Sequence, residues 1–229
     1  MRKKKVYIAG DSTACIYPHF GEENQFPRTG WGQVIGRFLP EFTIVDLALS
    51  GRSSKSFRTE ENYKYLCDNL SAGDYLIIQF GHNDSKDYDP ERYTAPDGEY
   101  QESLMEYVRL ARRKGAAPIL ATSISRNRPS DASLERYVEA VRQLANTEAI
   151  PLIDMYEATN TYINRVGTFE ATQMFMNVTK HDERFMSDLR YEGSEYYDKY
   201  TIDNTHLNIN GALFIAEFAA DIMHEILEK

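Results

Sequence analysis

Only two cysteines, Cys15 and Cys67, occur in 229 residues. Two thiols are too few for a disulfide framework, so both are read as free and the fold must rest on apolar burial. Histidine is also scarce at five residues. A two-metal hydrolytic centre gathers several imidazole and carboxylate ligands, and with so few imidazoles none is expected; no other cofactor is expected either. Cations are outnumbered, 26 Lys and Arg against 35 Asp and Glu. A net charge of -9 repels polyanions, which argues against nucleic acid as a partner. No apolar run approaches the roughly 18 residues of a membrane span, so no membrane partner is expected. Lys3 to Lys5 lead into a strand pattern rather than a leader's apolar region, and a cytoplasmic location is the expectation. Gly-x-Ser-x-Gly and the phosphate-loop pattern are both missing, which removes the α/β-hydrolase elbow and nucleotide chemistry of that kind.

What is present is enough apolar residue, 42%, for one well-cored domain over 1–229. Val6 to Ala9 is an apolar run that stops in Gly10-Asp11-Ser12-Thr13, a strand followed by a polar loop. Trp31, Val34, Ile35 and Phe38 space a short amphipathic helix closed by Pro40. A second strand over 42–49 ends in Ser50-Gly51-Arg52-Ser53, and a third over 74–80 ends in Gly81-His82-Asn83-Asp84. Helical segments lie between, so the pattern predicts βαβαβ and a parallel sheet. A fourth strand over 117–122, a helix capped by Ser130 or Asp131, and a short fifth strand over 150–153 extend it. Residues 155–202 break the alternation and read as an insertion or lid, with Tyr191, Tyr196, Tyr197 and Tyr200 among acids. A last helix follows, with Asn210 as its expected cap.

A serine at the carboxyl end of a strand stands where an open α/β sheet meets its ligand. It becomes a nucleophile only with a base and with donors for the resulting oxyanion. Asp203-Asn204-Thr205-His206 supplies a carboxylate three residues before an imidazole, one turn from its far ring nitrogen. The candidate catalytic residues are therefore Ser12, Asp203 and His206. The candidate oxyanion donors are the backbone N–H groups of Ser12 and Gly51 and the Asn83 amide.

Together these residues match a known pattern. Gly10-Asp11-Ser12, Gly51, Gly81-His82-Asn83-Asp84 and Asp203 with His206 resemble the four blocks of the SGNH, or GDSL-type, esterase superfamily. Gly10-Asp11-Ser12-Thr13, Ser50-Gly51-Arg52-Ser53 and Asp203-Asn204-Thr205-His206 resemble its rhamnogalacturonan acetylesterase branch. The resemblance implies a flavodoxin-like, three-layer αβα sandwich around a parallel five-stranded sheet. It also implies a metal-free Ser-His-Asp mechanism that removes acetyl groups from pectin-derived sugars. Asp46 differs from many relatives, which carry Asn there, and Leu207 to Ala212 differ from the branch's usual Glu-Tyr-Gly-Ala ending.

The expected partner is an acetylated oligosaccharide, with Arg52, His82 and Trp31 as candidate substrate contacts. Arg52, Lys55 and Arg58 place three cations beside Gly51, either as counter-ions for a galacturonate carboxylate or, equally, with Arg52 tying its own loop and the others as solvated helix charges. The competing readings are an SGNH-type esterase, lipase or acyltransferase for another acyl ester, a metal-dependent phosphoesterase, and a sugar-binding module without catalysis.

Overall fold

The computed structural model describes residues 2–17, 28–128, 130–177 and 202–228. Five parallel strands, β1 (Lys5–Gly10), β2 (Thr43–Asp46), β3 (Tyr75–Gln79), β4 (Ala117–Ala121) and β5 (Leu152–Ile153), form one sheet in the order β2-β1-β3-β4-β5. Val6 to Gly10 are buried in a continuous run, as expected of a strand covered on both faces. Val6 pairs with Ile44 on one side and with Tyr75 on the other. The connection leaving β1 runs outward to β2, and the next returns to β3. Strand order thus reverses between β1 and β3, and a crevice opens at their carboxyl ends.

The period of two along each strand assigns its side chains to two cores. Val6, Ile8, Ile77, Ile119 and Ile153 pack with α1 (Trp31–Val34), α5 (Met155–Val166) and α7 (Ile209–Leu227). Tyr7, Ala9, Leu76, Ile78 and Leu120 pack with α2 (Glu61–Asn69), α3 (Gln101–Arg113) and α4 (Ala132–Thr147). A fully buried Ile or Leu contributes about 1.5–3 kcal/mol, so two such layers hold the sheet without a crosslink. Both cysteines are free.

Several boundaries differ from the sequence reading. The helix expected to run from Trp31 through Phe38 is one α turn followed by a 3-10 turn, Ile35–Arg37. The second strand is four residues long, although Leu47 and Leu49 still donate to the Ile8 and Gly10 carbonyls beyond its end. Asp131 is the cap of α4, accepting from Leu134 N. Asn208, not Asn210, caps α7: its extended backbone turns Oδ1 onto the N–H groups of Asn210 and Gly211 at 2.9 and 3.2 Å. Both asparagines suit a cap chemically, and only the backbone decides between them.

Residues 155–177 pack into the core rather than standing off as a lid. Met155, Ile163, Met174 and Phe175 are core residues, and α5, α6 (Thr168–Ala171) and a 3-10 turn over Thr172–Met174 complete one layer. The rest of the expected lid, with its four tyrosines, lies outside the described residues.

Asp46 ends β2 with Oδ1 accepting from Ala48 N at 3.0 Å and Oδ2 buried without a partner. Burial pushes its carboxyl up to about 8, against the Ala48 hydrogen bond. The ordinary value is 3.8, so folding takes up a proton across that window. Its contribution is therefore most favourable below 3.8 and declines as pH rises toward 8. Asp46→Asn keeps the acceptor for Ala48 and removes the ionisable group. The variant is expected to be more stable than wild type by about 1–3 kcal/mol at the alkaline end of this range, with a smaller gain at pH 4. Urea unfolding at both pH values measures this, and a variant less stable at the alkaline end refutes it.

Candidate active site

The turn after β1 fixes Ser12 through its neighbours. Asp11 is fully buried, and its Oδ1 accepts from Thr13 N at 2.9 Å and Thr13 Oγ1 at 2.8 Å. Burial opposes this carboxylate, but His82 and the Thr13 donors outweigh it and hold the group below its ordinary value. Ala14 N and Cys15 N donate to the Asp11 carbonyl, and Tyr17 OH donates to the Ser12 carbonyl at 2.6 Å. Burial pushes the nearby Cys15 thiol up to about 12, which keeps it protonated and poorly nucleophilic.

The chain's far end brings the imidazole. Asp203 Oδ1 accepts from Thr205 N at 3.0 Å and His206 N at 2.9 Å, folding a tight acidic turn. The second oxygen of the carboxylate faces His206 Nδ1 at 2.7 Å, and His206 Nε2 stands 2.9 Å from Ser12 Oγ. With Nδ1–H donating to the carboxylate, Nε2 is left as the acceptor for the serine proton. Burial works against the Asp203 carboxylate, yet the His206 hydrogen bond and charge, with two backbone donors, bring its pKa down to about 2. Arg28 Nη2 adds a cation 3.6 Å from the same oxygen.

This turn is held from several sides. Met176 N donates to the His206 carbonyl, Thr29 N to the Leu207 carbonyl, and Asn127 N to the Asn204 carbonyl. Asn208 Nδ2 donates to the Gln173 and Phe175 carbonyls at 2.8 Å each. Part of the stretch expected to be a lid thus works as the clamp on the histidine turn.

Gly51 occupies the left-handed region, φ +76°, where a side chain would strain the backbone. Neither its N–H nor that of Ser12 has an acceptor among the described residues. Asn83 is oriented at both ends of its amide: Oδ1 accepts from Lys86 Nζ at 2.8 Å, and Nδ2 donates to the Arg52 carbonyl at 3.0 Å. One amide hydrogen remains. Asp84 anchors the surrounding loops by accepting from Ser54 Oγ at 2.5 Å, Ser54 N at 3.1 Å and Thr94 Oγ1 at 2.9 Å. Burial still pushes its carboxyl up to about 6. Ser12, Gly51, Asn83, Asp203 and His206 all border one cavity of about 330 Å³ at the β1/β3 crevice.

The three expected substrate contacts fare differently. Trp31 is fully buried, and its indole N–H donates to Gln79 Oε1 at 3.2 Å, so it is a core residue and no sugar platform. Arg52 turns its guanidinium to Glu60 at 2.5 Å and serves the site through its main-chain carbonyl. His82 forms part of the cavity wall, but Nε2 donates to the Ile124 carbonyl at 3.1 Å and Nδ1 faces Asp11 Oδ2 at 3.4 Å. Both nitrogens are directed into the protein rather than toward a ligand. Lys55 is likewise diverted, donating to the Pro90 and Tyr93 carbonyls. The cations that do reach the cavity are Lys86 and Arg126, which the sequence reading missed. Lys86 was legible in principle: three residues past Asn83, a turn returns its side chain to that amide. Among the described residues no group of three or more His, Cys, Asp or Glu gathers in a way that could hold a metal ion.

The strand order and the Ser12, His206 and Asp203 arrangement at the switch point define a flavodoxin-like α/β sandwich of the SGNH hydrolase kind. The comparisons agree. The sequence profile of the GDSL-like Lipase/Acylhydrolase family matches residues 8–173. A rhamnogalacturonan acetylesterase of Bacillus subtilis (strain 168), RhgT, is 32% identical over 234 residues, covering 99% of this chain and 93% of its own. Among solved structures, the YxiM protein of Bacillus subtilis superposes with a TM-score of 0.76 at 22% identity over 98% of this chain. This chain spans 57% of that one. A catalytic variant of an acetylxylan esterase from Geobacillus stearothermophilus gives a TM-score of 0.65 at 18% identity, covering 96% and 94% of the two chains. The chain belongs to the GDSL-like lipase/acylhydrolase family, a family of carboxylic ester hydrolases.

Proposed function

We propose that the protein is a serine carbohydrate acetylesterase that removes O-acetyl groups from rhamnogalacturonan-derived oligosaccharides. The observation that carries the chemistry is the unbroken relay from Ser12 Oγ through His206 to Asp203, at 2.9 and 2.7 Å, on the wall of an open cavity. Ser12 Oγ attacks the acetyl carbonyl while His206 Nε2 takes its proton, and Asp203 steadies the imidazolium. The tetrahedral oxyanion is met by the free N–H groups of Ser12 and Gly51 and by the remaining Asn83 amide hydrogen. As the ester C–O bond breaks, His206 gives the proton to the departing sugar oxygen, which leaves as a hydroxyl. Water, activated by the same imidazole, hydrolyses the acetyl-serine to acetate. The sugar assignment is supported by RhgT, similar along nearly its whole length.

The test is acetate release from an aryl acetate and from acetylated rhamnogalacturonan oligosaccharides, with and without a chelator, using Ser12→Ala as control. Wild type is expected to cleave both with chelator present, and the variant neither. Cleavage of the aryl acetate alone would keep the esterase and remove the pectic substrate. Activity lost to chelation and kept by Ser12→Ala would replace this mechanism with a metal-dependent one.

A further inference from the structure

The cavity has an imbalance of charge that ester hydrolysis does not need. Its acidic side chain, Asp203, is already matched by His206 and by Arg28. Its cations, Lys86 and Arg126, are under-matched. Lys86 Nζ donates to a neutral partner, Asn83 Oδ1, and has no carboxylate partner among the described residues. Arg126 Nη1 meets Asp131 at 2.6 Å and Nη2 donates to the His82 carbonyl at 3.5 Å, and the same carboxylate also serves Arg128. Burial, then the like charges of Arg92 and Arg126, push the Lys86 ammonium below its ordinary pKa. Arg92 is matched by Asp89, so Lys86, Arg92, Arg126 and Arg128 share two paired carboxylates, with buried Asp11 acting on Lys86 from farther off. Such crowding is unfavourable in the empty site and is relieved by an anion.

We propose that Lys86 and Arg126 bind the carboxylate of a uronate residue, so that the site selects acetylated uronates over neutral acetylated sugars. This rests on the acetylesterase reading of the same cavity. A volume of about 330 Å³ is at the small end of small-molecule sites, about 300–1,000 Å³. Arg126, whose terminal nitrogens are held by Asp131 and the His82 carbonyl, offers a fixed positive charge on the cavity wall, and Lys86 a second beside the oxyanion donors. The assignment moves anion recognition from Arg52, Lys55 and Arg58 to the opposite end of the Asn83 amide.

The experiment compares kcat and KM at low salt for three esters: an O-acetylated galacturonate oligosaccharide, its carboxyl methyl ester, and an aryl acetate. Wild type, Lys86→Met and Arg126→Gln are measured on each. Wild type is expected to favour the free acid over the methyl ester by about 10- to 100-fold in kcat/KM, the scale of one hydrogen bond to a charged group. Each variant is expected to bring that ratio toward one, mostly through KM, and raised salt should do so in wild type. Equal wild-type rates on acid and methyl ester overturn the proposal. So does a Lys86→Met loss that is the same on all three esters, which would make Lys86 a positioning residue for Asn83 alone. Failure of wild type to cleave any of the three overturns the esterase reading itself, a distinct result.

Discussion

Ser12→Ala is expected to lower kcat on an aryl acetate by a factor on the order of 10⁴ to 10⁶ while leaving KM within a few-fold of wild type. The argument is geometric. Alanine removes the one atom placed 2.9 Å from His206 Nε2 and leaves the backbone donors and the cavity in place. Ground-state binding survives and bond formation does not. The side chain removed is small and its turn is fixed by Asp11 and Tyr17, so the fold should be unaffected. Initial rates on purified variant, checked by circular dichroism, decide it. A loss under tenfold would mean that another nucleophile is at work.

Asp203→Asn is the second large effect, a fall in kcat on the order of 10⁴. The amide keeps an oxygen for the Thr205 and His206 backbone donors, so the turn persists. Its NH2 then faces His206 Nδ1 and donates to it. That leaves the hydrogen on Nε2, pointing at Ser12 where an acceptor is required. The pH dependence has a definite sign. In wild type the carboxyl is lowered from 3.8 to about 2, so its share of stability is complete above 3.8 and is lost as pH falls through about 2. Asp203→Asn should lack that acid limb, with a stability profile flatter than wild type between pH 4 and pH 2. Acid unfolding followed by tryptophan fluorescence reads it through the buried Trp31. An unchanged acid limb would show that Asp203 is not the group responsible.

How far the sequence carries depends on which physics decides each feature. The sheet was legible because apolar runs ending in Gly10-Asp11-Ser12 and Gly81-His82-Asn83 state both burial and direction. The grouping of Ser12 with Asp203 and His206 was legible because a residue triple of that kind has few other uses. Trp31 was misread because an aromatic beside a polar loop looks the same whether its face meets sugar or core. Its contact with Gln79, 48 residues away, is long-range information. Arg52 was overvalued and Lys86 missed for a similar reason: local composition counts charge, whereas Glu60 pairs with Arg52 and, among the described residues, no carboxylate pairs with Lys86. The 155–177 segment hid because its helices are short and their partners, α7 and the histidine turn, come later in the chain.

The clamp on the histidine turn has a developmental consequence. Nucleophile and base are 194 residues apart, and the base is held by contacts from Thr29, Asn127 and residues 173–176 at once. A growing polypeptide therefore carries Ser12 without its proposed base until His206, 194 residues later, has been made. The Ser12–His206 pair thus forms only where distant parts of the chain have already packed around the histidine turn.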